Sequence, residues 1–68
     1  MMKYSVLNYI DKTIQLYPGD TYSKYGTIVN LDDLGWTIKI IQSNSSSYKV
    51  GKEYFISHSS DFVFEFIN

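Results

Sequence analysis

TIVNLDDLGWTIKIIQ, residues 27–42, sets two alternating runs on either side of a short acidic break. In WTIKIIQ the side chains alternate: Trp36, Ile38 and Ile40 fall on one face, Thr37 and Lys39 on the other. A period of two over half-apolar residues is the signature of a strand packed on one side. TIVNL, residues 27–31, alternates in the same way, with Ile28 opposing Val29 and Leu31. LDDLG between them reads as a hairpin connection, Asp supplying local side-chain bonds and Gly35 a positive φ.

Working outward from this hairpin, TIQLY places Ile14 and Leu16 on one face and ends at Pro18-Gly19. Pro presets φ at the second turn position and Gly accepts positive φ at the third, so Tyr17 to Asp20 reads as a type II turn. DTYSKYG, which follows, is polar, aromatic and irregular. Beyond the hairpin, SNSSSYKVG at 43–51 is a serine-rich loop. KEYFIS and DFVFEFI are two further strands, split by the short HSS segment. In DFVFEFI, Phe62, Phe64 and Phe66 share one face, and Val63, Glu65 and Ile67 the other. KYSVLNYI at 3–10 fits an extended segment through its β-branched and aromatic content, although its apolar residues also fit a helical stripe. The expectation is one all-β domain over residues 1–68, of five to six antiparallel strands, with 1–12 an N-terminal extension.

Composition agrees. Sixty-eight residues allow one domain with a small core, worth roughly 3–5 kcal/mol. The chain has no alanine, eight isoleucines and 18% aromatic residues, which favours strand over helix. There is no cysteine for a disulfide or thiolate metal site. Every one of the six basic residues is lysine, and the net charge is -1. Without Arg, the usual fork for phosphate and guanine, nucleic-acid binding is disfavoured. MMKYSVLNYIDK lacks a long apolar run and a small-residue cleavage site, so it is not read as a signal peptide, and no stretch approaches a membrane span. A soluble, cytoplasmic protein is expected.

The order strand, irregular loop, hairpin pair, further strand, short turn and final strand, carried by YPGDTYSKYGTIVNLDDLGWTIKI and YKVGKEYFISHSSDFVFEF, resembles the SH3-like small barrels, including their KOW and Tudor relatives. The resemblance spans residues 13–67 and implies a small barrel with the first long loop at Pro18 to Tyr25 and a short turn at Ser57 to Asp61. The acidic cluster and paired tyrosines of polyproline-binding SH3 domains are missing, which counts against that ligand. The short length and the Lys, Ile, Asn and Tyr bias also resemble small accessory proteins of tailed phages of the T4 type. That resemblance implies binding and disabling, or redirecting, a host protein.

Candidate sites follow from side-chain chemistry. SHSSD at 57–61 holds the only histidine beside three serines and an aspartate. Sequence neighbours on one turn seldom reach triad geometry, so a turn whose Ser and Asp bond their own backbone is the better reading, and no catalytic residue is assigned. Asp32 and Asp33 read as a solvated turn rather than an acid–base pair or a calcium loop. No metal and no cofactor are expected.

The resemblance places Tyr17, Tyr22 and Tyr25 around the first long loop with Trp36 beside it, and these four form the candidate binding surface. Against it stands the reading of Trp36 as the largest core residue. Lys24, Lys39, Lys49 and Lys52 interleave with Tyr25, Tyr48 and Tyr54, a pattern that fits either a groove for single-stranded nucleic acid or ordinary solubility. With the core filled by the other faces, Ile41, Val63 and Ile67, together with either Tyr54 or Phe55, remain as an outward apolar set, which is either a candidate assembly face or a surface that the N-terminal segment folds back to cover. The function expected is a binding module that occludes a host protein. The alternatives are an oligomer sequestering a small nucleotide, and single-strand binding.

Overall fold

The computed structural model describes residues 9–67, an all-β domain of five antiparallel strands in one sheet. The strands are β1 (Thr13–Leu16), β2 (Lys24–Leu31), β3 (Gly35–Ser43), β4 (Glu53–Ser57) and β5 (Phe64–Phe66), in the spatial order β4-β3-β2-β1-β5. The first four form a meander, and the last strand returns to pair with the first. Residues 3–8 of the N-terminal segment lie outside the described residues.

The sheet does not close into a barrel. β4 and β5 are its two edges, each bonded to one neighbour. After β4 the chain turns sharply, Ser60 bonding back to the Ser57 carbonyl through both its N–H and its hydroxyl, and then runs along β1. The sheet is nevertheless bent round on itself, because Trp36 on β3 and Phe64 on β5, strands that are not neighbours, hold their rings 5.2 Å apart.

The core is Ile14, Leu16, Ile28, Leu31, Trp36, Ile38 and Ile40, with Tyr9, Ile10, Tyr48, Tyr54, Ile56, Phe62 and Phe64 packed on its margin. The inward face of β3 is the one its alternation gives. On β2 the alternation is broken: a register shift between Ile28 and Asn30 inserts Val29 as an extra residue. This bulge turns both Ile28 and Leu31 inward, where an unbroken strand would set them on opposite faces. A second irregularity, where Tyr25 and Gly26 oppose Gln42 and Ile40, leaves Ile41 unpaired and exposed.

The turns hold two outcomes. At Tyr17–Asp20 the Asp20 N–H bonds the Tyr17 carbonyl at 3.0 Å and Gly19 has φ 90°, as a type II turn requires. In the β2–β3 hairpin, Asp32 Oδ1 accepts from the N–H groups of Leu34 (2.8 Å) and Gly35 (3.1 Å), the expected local bonding. Gly35, however, does not have positive φ. It is needed there for space: a Cβ at this position would fall on the Ile56 carbonyl oxygen of β4 and lie 2.9 Å from Phe55 Cζ.

Candidate functional site

β2 begins three residues earlier than the irregular reading of DTYSKYG implies, at Lys24. That puts Lys24 in phase with Gly26 and Ile28, so its side chain points inward and is only 3% exposed. A buried ammonium must be paired. Lys24 Nζ is bonded to the Asp20 carboxylate, donates to the Tyr22 carbonyl at 2.8 Å, and lies 5.8 Å from the centroid of the Tyr17 ring. Its hydrogen bond holds the Asp20 carboxyl below the usual value of 3.8, helped by the Thr21 N–H and the lysine's charge, and opposed by desolvation. The β1–β2 loop is thus folded over a buried cation. Lys24 is therefore not one of a row of surface lysines free to meet phosphates.

A second loop, between β3 and β4, closes on this one. Asn44 donates its N–H to the Ser23 carbonyl (3.0 Å) and its side-chain amide to Ser23 Oγ (3.2 Å). Ser45 Oγ accepts the Ser47 N–H, shaping the serine run into a turn. Between the two loops lies an open cleft of about 630 Å³, walled by Tyr17, Pro18, Tyr48 and Val63, with Lys24 and Asp20 among its lining residues. The Tyr48 ring packs on Tyr54 at 5.1 Å, and Tyr54 Oη accepts the Lys49 N–H. Burial pushes the Tyr48 hydroxyl's pKa above 10.0, and the adjoining Tyr17 and Tyr54 hydroxyls push the same way.

The four aromatic residues expected to form one surface are distributed. Tyr17 lines the cleft just described. Tyr22 is exposed in the same loop, its carbonyl held by Lys24. Tyr25 pairs with Gln15 and Gln42, on the strand face opposite Lys24. Trp36 is core, 6% exposed, with Tyr9 (5.7 Å), His58 (5.5 Å) and Phe64 packed edge-on around it. It lines a separate cleft of about 220 Å³ with Ile56, Phe62 and Phe66. Tyr48 takes Trp36's place beside Tyr17. Nothing in local periodicity pairs Tyr17 with Tyr48, since their meeting depends on how two loops fold.

Ile41, Val63 and Ile67 are all exposed. Val63 and Ile67 flank β5 and anchor it to β1, the Val63 carbonyl accepting from Tyr17 and the Ile67 N–H donating to Thr13. Ile41 stands apart on β3, three strands away in the sheet.

The SHSSD run is a turn. Ser57 and Ser59 bond through their hydroxyls, and Ser57 Oγ accepts the Ser59 N–H. His58 Nε2 lies 2.7 Å from the Asp32 carbonyl oxygen, which only accepts, so Nε2 carries the proton. Among the described residues no three His, Cys, Asp or Glu side chains are grouped to hold a metal ion, and no helix is long and apolar enough to cross a membrane.

No family model matches this chain, and no curated protein or solved structure is significantly similar to it.

Proposed function

We propose that the protein is a non-catalytic binding module that acts by occluding a protein partner, a host protein if the chain is phage-encoded. The observation that carries this reading is the cleft between the β1–β2 and β3–β4 loops, with Tyr17 and Tyr48 on its walls and Val63 exposed at its edge. Rigid aromatic rings on loops bonded to one another offer contact area at low entropic cost. The pairing of buried Lys24 with the Asp20 carboxylate fixes one of those loops before a partner arrives. The strand order, in which the last strand returns to the first, supports the SH3-like reading of the fold.

The test is affinity capture from bacterial lysate with the wild-type protein and with Tyr17→Ser/Tyr48→Ser, both verified as folded by thermal melting. A discrete protein retained by the first and lost by the second supports the reading. Equal capture by both refutes the cleft as the contact surface.

A second reading, sequestration of a small nucleotide within an oligomer, draws on the cleft volume, which lies within the range of roughly 300–1,000 Å³ typical of small-molecule sites. In that reading Ile41, Val63 and Ile67 contribute to subunit contacts. Ligand absorbance that survives purification, together with an oligomeric mass, favours it over the first.

A further inference from the structure

Three clefts on the open side of the sheet share walls. Tyr17 separates the loop cleft from one of about 350 Å³ formed with Phe55, Asp61 and Phe62, and Phe62 in turn separates that one from the cleft at Trp36. Together they form a seam between the two sheet edges, β4 on one side and the approach to β5 on the other.

The β4 edge is built to accept hydrogen bonds. Its bonds to β3 come from alternate residues: the Ile40 N–H bonds the Lys52 carbonyl, the His58 N–H bonds the Leu34 carbonyl, and Ile56 and Tyr54 stand opposite Trp36 and Ile38 between them. In an antiparallel ladder this turns the N–H and C=O groups of Glu53 and Phe55 away from β3, toward the seam. Phe55 is 55% exposed, and β4 contains no proline, bulge or lysine of the kind that protects an edge. The carboxylates flanking this edge, Glu53 and Asp61, have no ion-pair partner among the described residues.

We infer that the seam takes an extended peptide segment of a partner protein by strand addition to β4. Its main chain pairs with Glu53 and Phe55, alternate apolar side chains lie over Phe55, Tyr17 and Phe62, and a lysine or arginine meets Asp61 or Glu53. Main-chain pairing supplies affinity, and the alternating side chains supply selectivity. This rests on the reading of the protein as a protein-binding module and names how the partner is held.

The experiment selects peptides from a random display library on the wild-type protein and measures synthetic copies against variants. Phe55→Pro removes one seam-facing N–H at a position where an edge strand tolerates proline, and thermal melting checks its fold. The expected result is a set of sequences with alternating apolar residues and a basic residue, whose affinity falls about tenfold or more in Phe55→Pro, the scale of a lost buried hydrogen bond. Val50→Ser, an exposed side chain of the β3–β4 loop that lines none of the three clefts, leaves it nearly unchanged. Should Phe55→Pro not fold, amide exchange on the wild type decides: bound peptide slows exchange of the Glu53 and Phe55 N–H groups, and unchanged rates overturn the proposal.

Peptides that bind equally to Phe55→Pro, or recovery of none, overturn it. A concentration-dependent dimer abolished by Phe55→Pro also overturns it, since the occupant is then a second copy. A protein captured through Tyr17 and Tyr48 but indifferent to Phe55→Pro overturns strand addition alone and leaves the binding module standing.

Discussion

The Lys24 ammonium is buried against the Asp20 carboxylate four residues before it, and that pair, with the Tyr22 carbonyl, holds the β1–β2 loop over the end of the sheet. Lys24 is shielded while Asp20 is nearly half exposed, so the two partners are not equivalent. Removing the carboxylate strands a buried cation, whereas removing the cation leaves a carboxylate that water solvates. Asp20→Asn is therefore expected to lower Tm by about 5 °C or more, and Lys24→Met by less. Thermal melts at neutral pH compare the two.

The same pair sets an acid limit. Because the folded Asp20 carboxyl lies below its ordinary 3.8, its contribution to stability is present above that value and is lost as pH falls through the folded pKa. The Tm difference between wild type and Asp20→Asn should be constant near neutrality and shrink below about pH 4. A difference that persists unchanged to pH 2 or so contradicts the assignment.

Two glycines make room for neighbours of different stiffness. A Cβ at Gly26 would meet Ile38 Cγ2 at 2.5 Å, a side chain, and the Lys39 carbonyl oxygen at 3.0 Å. A Cβ at Gly35 would meet the Ile56 main chain directly. Overpacking typically costs roughly 1–3 kcal/mol, so Gly26→Ala should fall within that range and Gly35→Ala at or beyond its upper end. Chemical denaturation of both measures the order, and a milder Gly35→Ala would contradict the close approach of β3 and β4.

His58 joins the turn after β4 to the β2–β3 hairpin by donating from Nε2 to the Asp32 carbonyl and by accepting the edge of, or offering its edge to, the Trp36 ring. His58→Gln keeps a donor within reach of that carbonyl, while His58→Leu does not. The second should cost about 1 kcal/mol more than the first in denaturation experiments.

Much of the fold is legible in the sequence because it depends on local alternation: GWTIKII, TIQL and the Pro18-Gly19 turn each specify themselves. What local pattern does not carry is the bulge at Val29, which is set by the need to bury both Ile28 and Leu31. The inward phase of Lys24 was readable, since Lys24, Gly26 and Ile28 fall on one strand face, but only by extending β2 backward through residues that look like loop. The candidate site was half visible. Tyr17 stands at the cleft as its turn suggests, yet Trp36 is drawn into the core by its size, and Tyr48 arrives from a serine-rich loop whose position depends on the bonds between Asn44 and Ser23.

Trp36 and the loop tyrosines should accordingly separate in mutational tests. Trp36→Ala removes the largest core side chain at a cost of roughly 3–5 kcal/mol, comparable with the whole stability of a domain this small, and should abolish cooperative unfolding. Tyr17→Ser and Tyr22→Ser, at exposed rings, should shift Tm by only a few degrees.

The most direct test of the account is a native mass spectrum of the protein gently purified from bacterial lysate, beside that of Tyr17→Ser/Tyr48→Ser. The account predicts a complex whose added mass is that of a protein, present with wild type and absent with the variant. A homo-oligomer carrying only a small-molecule mass, unaffected by loss of the two tyrosines, would contradict it.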